Sequence, residues 1–375
     1  MRILLTGGGT AGHVNPALAI AAAIRAHQPS ADFLFVSSDL PRDKAGDLVR
    51  RAGYELETVH IRGLRRPVFH PANLTLPLVM QKARRAARRL IQEFHPDLIV
   101  GTGGYACWPV VSEGAALGIP TAVHESNALP GKAICQVKHR VDRIFINFPE
   151  TAGRLGMEGD PKVIRVGNPH MAGFDTVNRE EARRTLGLAP GETYVLAFGG
   201  SLGAEHLNDG LVSLADTLAR SCPGTVLCHA AGKRDFQRTR ENLHRTGADA
   251  CPRIKLTDYI YDMPTRMAAA DLVISRAGAM TVSELALTGK AAVLVPSPYV
   301  ADNHQYRNAM ALVGVGAGVC VEEKDIPGGG LTRAVQPLLG DRVARERMGR
   351  EIKTRFACPE ANEIIYQELM KLCQG

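Results

Sequence analysis

At 375 residues the chain is too long for one typical hydrophobic core, so two domains are expected. Hydrophobic residues make up 45% and charged ones 22%, ordinary for a globular protein, and no apolar run approaches the ~20 residues of a membrane span. The net charge of +7 favours anionic partners, while 5% aromatics, none interleaved with basic residues, argues against nucleic acid as a partner. The apolar N-terminus is broken by "TGGGTAGH" before it reaches signal-peptide length, so a cytoplasmic protein is expected. The eight cysteines contain no C-x-x-C pair and read as small buried hydrophobes in a reducing compartment.

In chain order, "RILLT", "DFLFVS", "DLIVGT", "TAVHE" and "RIFIN" read as strands of a first half, and "YVLAFG", "TVLCHA", "DLVIS" and "AAVLVP" as strands of a second. The runs are continuously apolar, as in parallel strands buried on both faces, and they alternate with helical patterns. The fold class is therefore α/β, two doubly wound Rossmann-like domains. The join lies near "RVGNPHMAGFD", giving domains 1–166 and 167–357; the stretch 358–375 reads as a helix that crosses back to the first.

Each half opens on a glycine-rich turn after its first strand: "TGGGTAGHVNP" and "FGGSLGAEHLN". Gly7, Gly9 and Gly12 satisfy G-x-G-x-x-G, in which glycines admit a close ligand and the following helix N-terminus attracts phosphate. Asn15 and Pro16 are expected as N-cap and first helical residue, and Asp39 is the ribose acid of a dinucleotide reading. His13 lies outside that fingerprint; an imidazole beside a phosphate loop suits a general base. In the second turn, Ser201 with the Leu202 and Gly203 amides suits a diphosphate, or a plain helix cap. "SRAGAMTVSEL" places Glu284 where it either completes a capping box with Thr281 or accepts from a ribose diol. Arg276 either neutralises phosphate or is solvated. "DNHQ" places Asp302, Asn303, His304 and Gln305 at a helix start, as caps or sugar-hydroxyl partners. Tyr105, Glu125 and Asn127 follow two successive strands of the first half.

Taken together, "GGTAGHVNPALA", "GGYACWPVV", "HESNALPG", "GNP", "GGSLGA", "RAGAMTVSEL" and "DNHQ", in this order over nearly the whole chain, resemble the MurG family of peptidoglycan N-acetylglucosaminyltransferases. The resemblance implies a GT-B fold, with an N-terminal acceptor domain and a C-terminal donor domain across a cleft. It implies inverting transfer of GlcNAc from UDP-GlcNAc to the C4 hydroxyl of undecaprenyl-diphosphoryl-MurNAc-pentapeptide. The second loop would hold the UDP diphosphate and the first the lipid-linked one. It further implies donor contacts from Thr10, Ala11, Gly12, Asn127, Ser201, Ile260, the run Ala279, Met280, Thr281, Val282, Ser283 and Glu284, and Gln305. Acceptor contacts fall to Gly8, Gly9 and Tyr105, and catalysis to His13 as base with Glu125 or Asn127 orienting the hydroxyl. No D-x-D motif exists, so no metal cofactor is expected, a divalent ion being at most stimulatory. The implied location is the cytoplasmic face of the cell membrane, with cell-wall synthesis and division proteins as further partners.

The chain departs from the family pattern at Met171, where the family has a donor-contacting arginine, and at Ile134, where it tends to have Asn. His170, Arg165 or Arg276 is expected to supply the charge missing at Met171. The segment "ANLTLPLVMQKARRAARRLIQEF" carries an apolar helical stripe of Val79, Ala83, Ala87, Leu90 and Phe94 and a basic face including Lys82, Arg84, Arg85, Arg88 and Arg89. It reads either as a solvated face over a core helix or as a dock on anionic lipid, with Val68, Phe69, Leu74, Leu76 and Leu78 dipping inward. The alternative functions are another UDP-sugar transferase acting on a membrane glycolipid, a UDP-GlcNAc 2-epimerase, which needs no acceptor, and a non-catalytic nucleotide-sugar-binding protein, which has little use for His13.

Overall fold

The computed structural model describes all residues except 42, 44, 64–66, 68, 172, 175, 201, 202 and 375. The chain forms two compact units, Met1–His170 with Glu360–Gly375, and Met171–Pro359.

In the first unit β1 (Arg2–Gly7), β2 (Asp32–Ser38), β3 (Glu55–Val59), β4 (Leu98–Gly103), β5 (Thr121–Glu125), β6 (Arg143–Ile146) and β7 (Val163–Arg165) form one parallel sheet of order β3-β2-β1-β4-β5-β6-β7. Successive side chains leave opposite faces of a strand, so β1 serves two cores. Ile3 and Leu5 pack with Val14, Ile20 and Ile24 of the Ala11–His27 helix. Leu4 packs in the cluster of Ala83, Ala87 and Ile91 from the Leu76–Phe94 helix and of Val110 and Val111 from the Cys107–Ala116 helix. The last helix, Ala361–Gln374, lays Ile365 and Leu369 into the first of these cores. Fully burying such a side chain contributes about 1.5–3 kcal/mol. His27 also stacks on Tyr366 at 4.1 Å between centroids and lies 2.9 Å from the Glu363 carboxylate. Where the chain passes between units, Asn362 clamps His170: its Oδ1 accepts from the His170 N–H at 3.0 Å, and its Nδ2 donates to the His170 carbonyl at 2.8 Å.

The second unit repeats the design with β8 (Thr193–Phe198), β9 (Thr225–Ala230), β10 (Ile254–Thr257), β11 (Leu272–Ser275), β12 (Ala291–Leu294) and β13 (Val319–Cys320), all parallel, in the order β10-β9-β8-β11-β12-β13.

Four strands escape the apolar-run reading: β3, β7, β10 and β13. All four are sheet edges, each with exposed or half-buried positions, so "ELETV" and "VIR" carry charge that an open side tolerates. The Asn15–Pro16 cap is also corrected. The helix starts at Ala11, after Thr10 in an extended conformation, and Pro16 lies within it. Proline there removes the N–H that would reach back to the Gly12 carbonyl.

Candidate active site

In the first sheet the strand order reverses between β1 and β4, so the loops leaving their C-terminal ends flank the position where doubly wound sheets bind ligands. The two loops pack backbone against backbone. The Gly8 N–H donates to the Gly103 carbonyl at 3.3 Å, and a Cβ on Gly104 (φ +85°) would sit 2.4 Å from the Gly8 carbonyl oxygen. A Cβ on Gly103 (φ +106°) would sit 2.7 Å from Cδ2 of His13. The imidazole therefore rests on a surface that only glycine leaves open.

His13 is half-buried, and its Nδ1 is 2.9 Å from the Gly8 carbonyl oxygen. A carbonyl only accepts, so Nδ1 carries the proton and Nε2 of the neutral ring is the basic nitrogen. The Thr102 hydroxyl holds the His13 carbonyl at 2.7 Å. Thr10, Ala11 and Gly12 form the junction of loop and helix beside it. Tyr105 is half exposed after β4, its ring where a side chain on Gly63 would stand.

Glu125 ends β5, the strand beside β4, and is buried. Its carboxylate accepts from the Asn127 N–H (2.9 Å), the Asn127 side-chain amide (3.2 Å) and the Gly131 N–H (2.7 Å). Burial raises its pKa more than these three bonds lower it. Glu125 and Asn127 thus close the "ESNALPG" loop on itself. Beneath it, burial holds His124 neutral, its pKa down to about 4, and its Nε2–H donates to the Gly167 carbonyl at 2.9 Å. Ile134 is buried in the core under the same loop. Asp39 is 2.8 Å from His60 Nδ1, so the carboxylate of the dinucleotide reading is engaged elsewhere.

In the second unit the order reverses between β8 and β11. Ser201, in the loop after β8, lies outside the described residues, as does Leu202. The loop's glycines take left-handed angles, Gly200 at φ +97° and Gly203 at φ +83°. A Cβ on Gly203 would meet the Ala231 carbonyl oxygen at 2.3 Å and Asp235 Oδ2 at 2.8 Å. A buried network lies below. Asn208 donates to the Ala231 carbonyl at 3.0 Å and accepts from His229 Nε2 at 2.9 Å, and burial drops the His229 pKa to about 3. Nothing in the motif reading singles out Asn208 or His229; the signal is their place on the helix and strand beside the glycine loop.

After β11 the helix Ala279–Thr288 starts behind Gly278, which makes no side-chain cap bond. The Thr281–Glu284 capping box is thus corrected: Thr281 is the third helical residue and Glu284 the sixth. Ala279, Val282 and Ser283 are buried, and Met280, Thr281 and Glu284 half-buried. Burial pushes the Glu284 carboxyl up to about 8. Arg276 is not a solvated loop residue but is engaged within the unit. Its guanidinium donates to the Val295 carbonyl at 3.0 Å and forms a buried ion pair with Glu323. Gln305 accepts from the Ser297 N–H at 2.9 Å. Asp302 and Asn303 take left-handed angles (φ 51° and 54°), and Asn303 caps the next helix by position without a side-chain bond. Ile260 is buried after β10, and Met171, 57% exposed, opens the second unit. Among the described residues, no group of three or more His, Cys, Asp or Glu side chains is placed to hold a metal ion.

Residues 3–146 match the glycosyltransferase family 28 N-terminal domain and residues 194–362 its C-terminal domain. Over 98% of this chain and 97% of the relative, the sequence is 37% identical to the UDP-N-acetylglucosamine–N-acetylmuramyl-(pentapeptide) pyrophosphoryl-undecaprenol N-acetylglucosamine transferase of Acetivibrio thermocellus. It is 36% identical to the enzyme of that name from Desulforudis audaxviator, over 99% of this chain and 98% of the relative. The crystal structure of Acinetobacter baumannii MurG superposes with a TM-score of 0.78 at 26% identity, covering 99% of both chains. A UDP-GlcNAc 2-epimerase from Neisseria meningitidis, at 14% identity and a TM-score of 0.66, shares the fold. The paired doubly wound units are a GT-B fold, and the chain belongs to glycosyltransferase family 28, within its MurG branch.

Proposed function

We propose that this protein transfers GlcNAc from UDP-GlcNAc to the C4 hydroxyl of undecaprenyl-diphosphoryl-MurNAc-pentapeptide in peptidoglycan synthesis. The observation that carries this is the full-length similarity to transferases of that name, 37% and 36% identical. An epimerase is not favoured, since its likeness stops at the fold.

The reaction is a single displacement at the anomeric carbon. His13 takes the proton from the attacking hydroxyl through Nε2, the nitrogen its bond to Gly8 leaves basic. Glu125 keeps the loop that presents Asn127 closed. UDP leaves from the second unit, where the glycine loop after β8 and the N-terminus of the Ala279–Thr288 helix favour its charge. Glu284 accepts from the ribose hydroxyls, and Ile260 and Gln305 line the donor.

The lipid acceptor requires the enzyme to work at an anionic membrane surface, and the first unit carries a fitting patch. Phe69 (96%), Leu74 (84%) and Leu78 (60%) are exposed at the head of the Leu76–Phe94 helix, whose Lys82, Arg85 and Arg89 are exposed. Apolar side chains left open beside cations suit a phospholipid interface. No helix among the described residues is long and apolar enough to cross a membrane.

The direct test measures UDP release from UDP-GlcNAc with and without the lipid-linked muramoyl-pentapeptide. Release that requires the acceptor is expected; epimerisation of UDP-GlcNAc without acceptor would refute the reading.

A further inference from the structure

The two glycine loops of the first unit offer amide hydrogens but no fixed charge: neither "TGGGTAG" nor "TGGYA" contains Lys or Arg. A diphosphate is held more firmly with a cation beside it, and Arg62 is placed to supply one. It follows β3 and is half-buried. Its Nη2 is engaged with the Pro71–Thr75 turn, donating to the Ala72 carbonyl and, at 2.9 Å, to the Thr75 hydroxyl. The Thr75 hydroxyl in turn donates to the same carbonyl at 3.0 Å. Nη1 is buried and has no partner among the described residues. A guanidinium is a planar fork of donors that matches phosphate oxygens, and a buried half of that fork is unfavourable until an acceptor meets it.

Contacts on two sides place the Arg62–Gly63 segment. On one side Gly63 lies against Tyr105: a Cβ there would stand 2.5 Å from the ring Cε1 and 2.7 Å from the hydroxyl oxygen. Tyr105 follows Gly104, which packs on Gly8 of the first loop, so the segment borders the pair of glycine loops. On the other side, the turn that Nη2 holds includes the exposed Leu74 and follows the exposed Phe69. In the acceptor, the diphosphate stands between the polyprenyl tail and the sugar. Arg62 has the corresponding place in the protein, between the apolar turn and the loops at His13. We propose that Arg62 binds the lipid-linked diphosphate through Nη1, while its Nη2 holds the turn that meets the membrane. The identity of that ligand rests on the transferase reading; the presence of a diphosphate site at Arg62 does not.

The probe is geranyl diphosphate, which carries an allylic diphosphate and no sugar. It is titrated onto the full-length protein with UDP saturating, so that the second unit's glycine loop is occupied. The wild type should bind it, and Arg62→Gln should weaken binding about 10–100-fold, the scale of charge-assisted hydrogen bonds. Arg62→Lys, which keeps the charge, should recover part of that affinity. The KM for the lipid-linked acceptor should rise in Arg62→Gln on the same scale, while the KM for UDP-GlcNAc stays unchanged and reports an intact second unit. Thr75→Val removes one of the bonds that hold Nη2 and leaves Nη1 untouched, so its affinity for geranyl diphosphate should stay close to that of the wild type. No binding to the wild type, unchanged affinity in Arg62→Gln or an equal loss in Thr75→Val would overturn the proposal. So would an Arg62→Gln variant that loses only its binding to phosphatidylglycerol vesicles, because Arg62 would then contact a phospholipid headgroup instead. Arg62-dependent binding in a protein that shows no acceptor-dependent UDP release would keep the site and refute the transferase reading.

Discussion

The Nδ1 of His13 lies 2.9 Å from the carbonyl oxygen of Gly8, five residues back in the chain. The bond closes the glycine loop onto the first turn of the following helix. It also decides the chemistry of the ring, because the nitrogen that faces a carbonyl must be the one that carries hydrogen. The same glycine-rich design after β8 in the second unit has no histidine at the matching place, in keeping with a loop that stabilises a leaving group.

Donor affinity should depend on pH through Glu284. Burial disfavours the charge and pushes its carboxyl up to about 8. Two ribose hydroxyls donating to it favour the carboxylate and lower the pKa in the complex. Below pH 8 binding then releases a proton, so the Kd for UDP should fall as pH rises toward 8 and level off above it. Isothermal titration in two buffers of different ionisation enthalpy reads the released proton. Glu284→Gln should abolish the slope and weaken binding about 10–100-fold, the scale of hydrogen bonds to a charged group. A slope that survives in Glu284→Gln would assign it to another residue.

The Arg276–Glu323 pair should be structural. Both side chains are largely buried. Arg276→Met leaves Glu323 buried without its partner, a change that costs about 3–5 kcal/mol. Adding Glu323→Leu should recover much of the loss in urea melts. If Arg276→Met instead leaves stability intact and weakens UDP binding, the arginine is a phosphate ligand.

With Arg276 engaged, His170 and Arg165 remain as sources of the charge missing at Met171. Met171→Arg should lower the KM for UDP-GlcNAc by about tenfold or less, since a full charge-assisted contact is worth about 1.5–3 kcal/mol. An improvement of a hundredfold or more would mean that neither compensates.

Membrane attachment and helix stability should separate by residue. Arg84 and Arg88 both pair with the buried carboxylate of Glu113, so replacing either should lower the melting temperature. Lys82, Arg85 and Arg89 are exposed, Arg89 with only a surface pair to Glu93. Their replacement by Gln, or Phe69→Ser with Leu74→Ser, should weaken binding to vesicles rich in phosphatidylglycerol while sparing turnover of a soluble acceptor analogue. Undiminished vesicle binding in the combined variant would place the membrane surface elsewhere.

The sequence made the central strands plain because burial on both faces forces an unbroken apolar run, as in "RILLT" and "YVLAFG". The edges β3, β7, β10 and β13 were hidden because a strand with one open side tolerates Glu, Lys and Arg. Glycine turns and the residues beside them were legible as local patterns. His229 and its bond to Asn208 were not, because that bond depends on which strand neighbours which. β9 lies next to β8, and only that adjacency brings His229 under the glycine loop that the Asn208 helix follows. The motif also misled where two local rules competed. Asn15–Pro16 is a fair helix start in isolation, but the turn at Gly9 and extended Thr10 start the helix earlier.

The most direct test of this account is the steady-state and pH kinetics of His13→Ala with UDP-GlcNAc and the lipid-linked acceptor. Losing a positioned general base costs about 10²–10⁴ in rate, or roughly 3–5 kcal/mol of barrier. The expected result is a kcat reduced on that scale, an unchanged affinity for UDP-GlcNAc, and loss of the acid limb of the wild-type kcat profile, because protonation of Nε2 no longer matters. A variant with near-normal kcat and weakened donor binding would contradict it: His13 would then be a binding residue, and the base would have to be Glu125, freed from the loop it now holds.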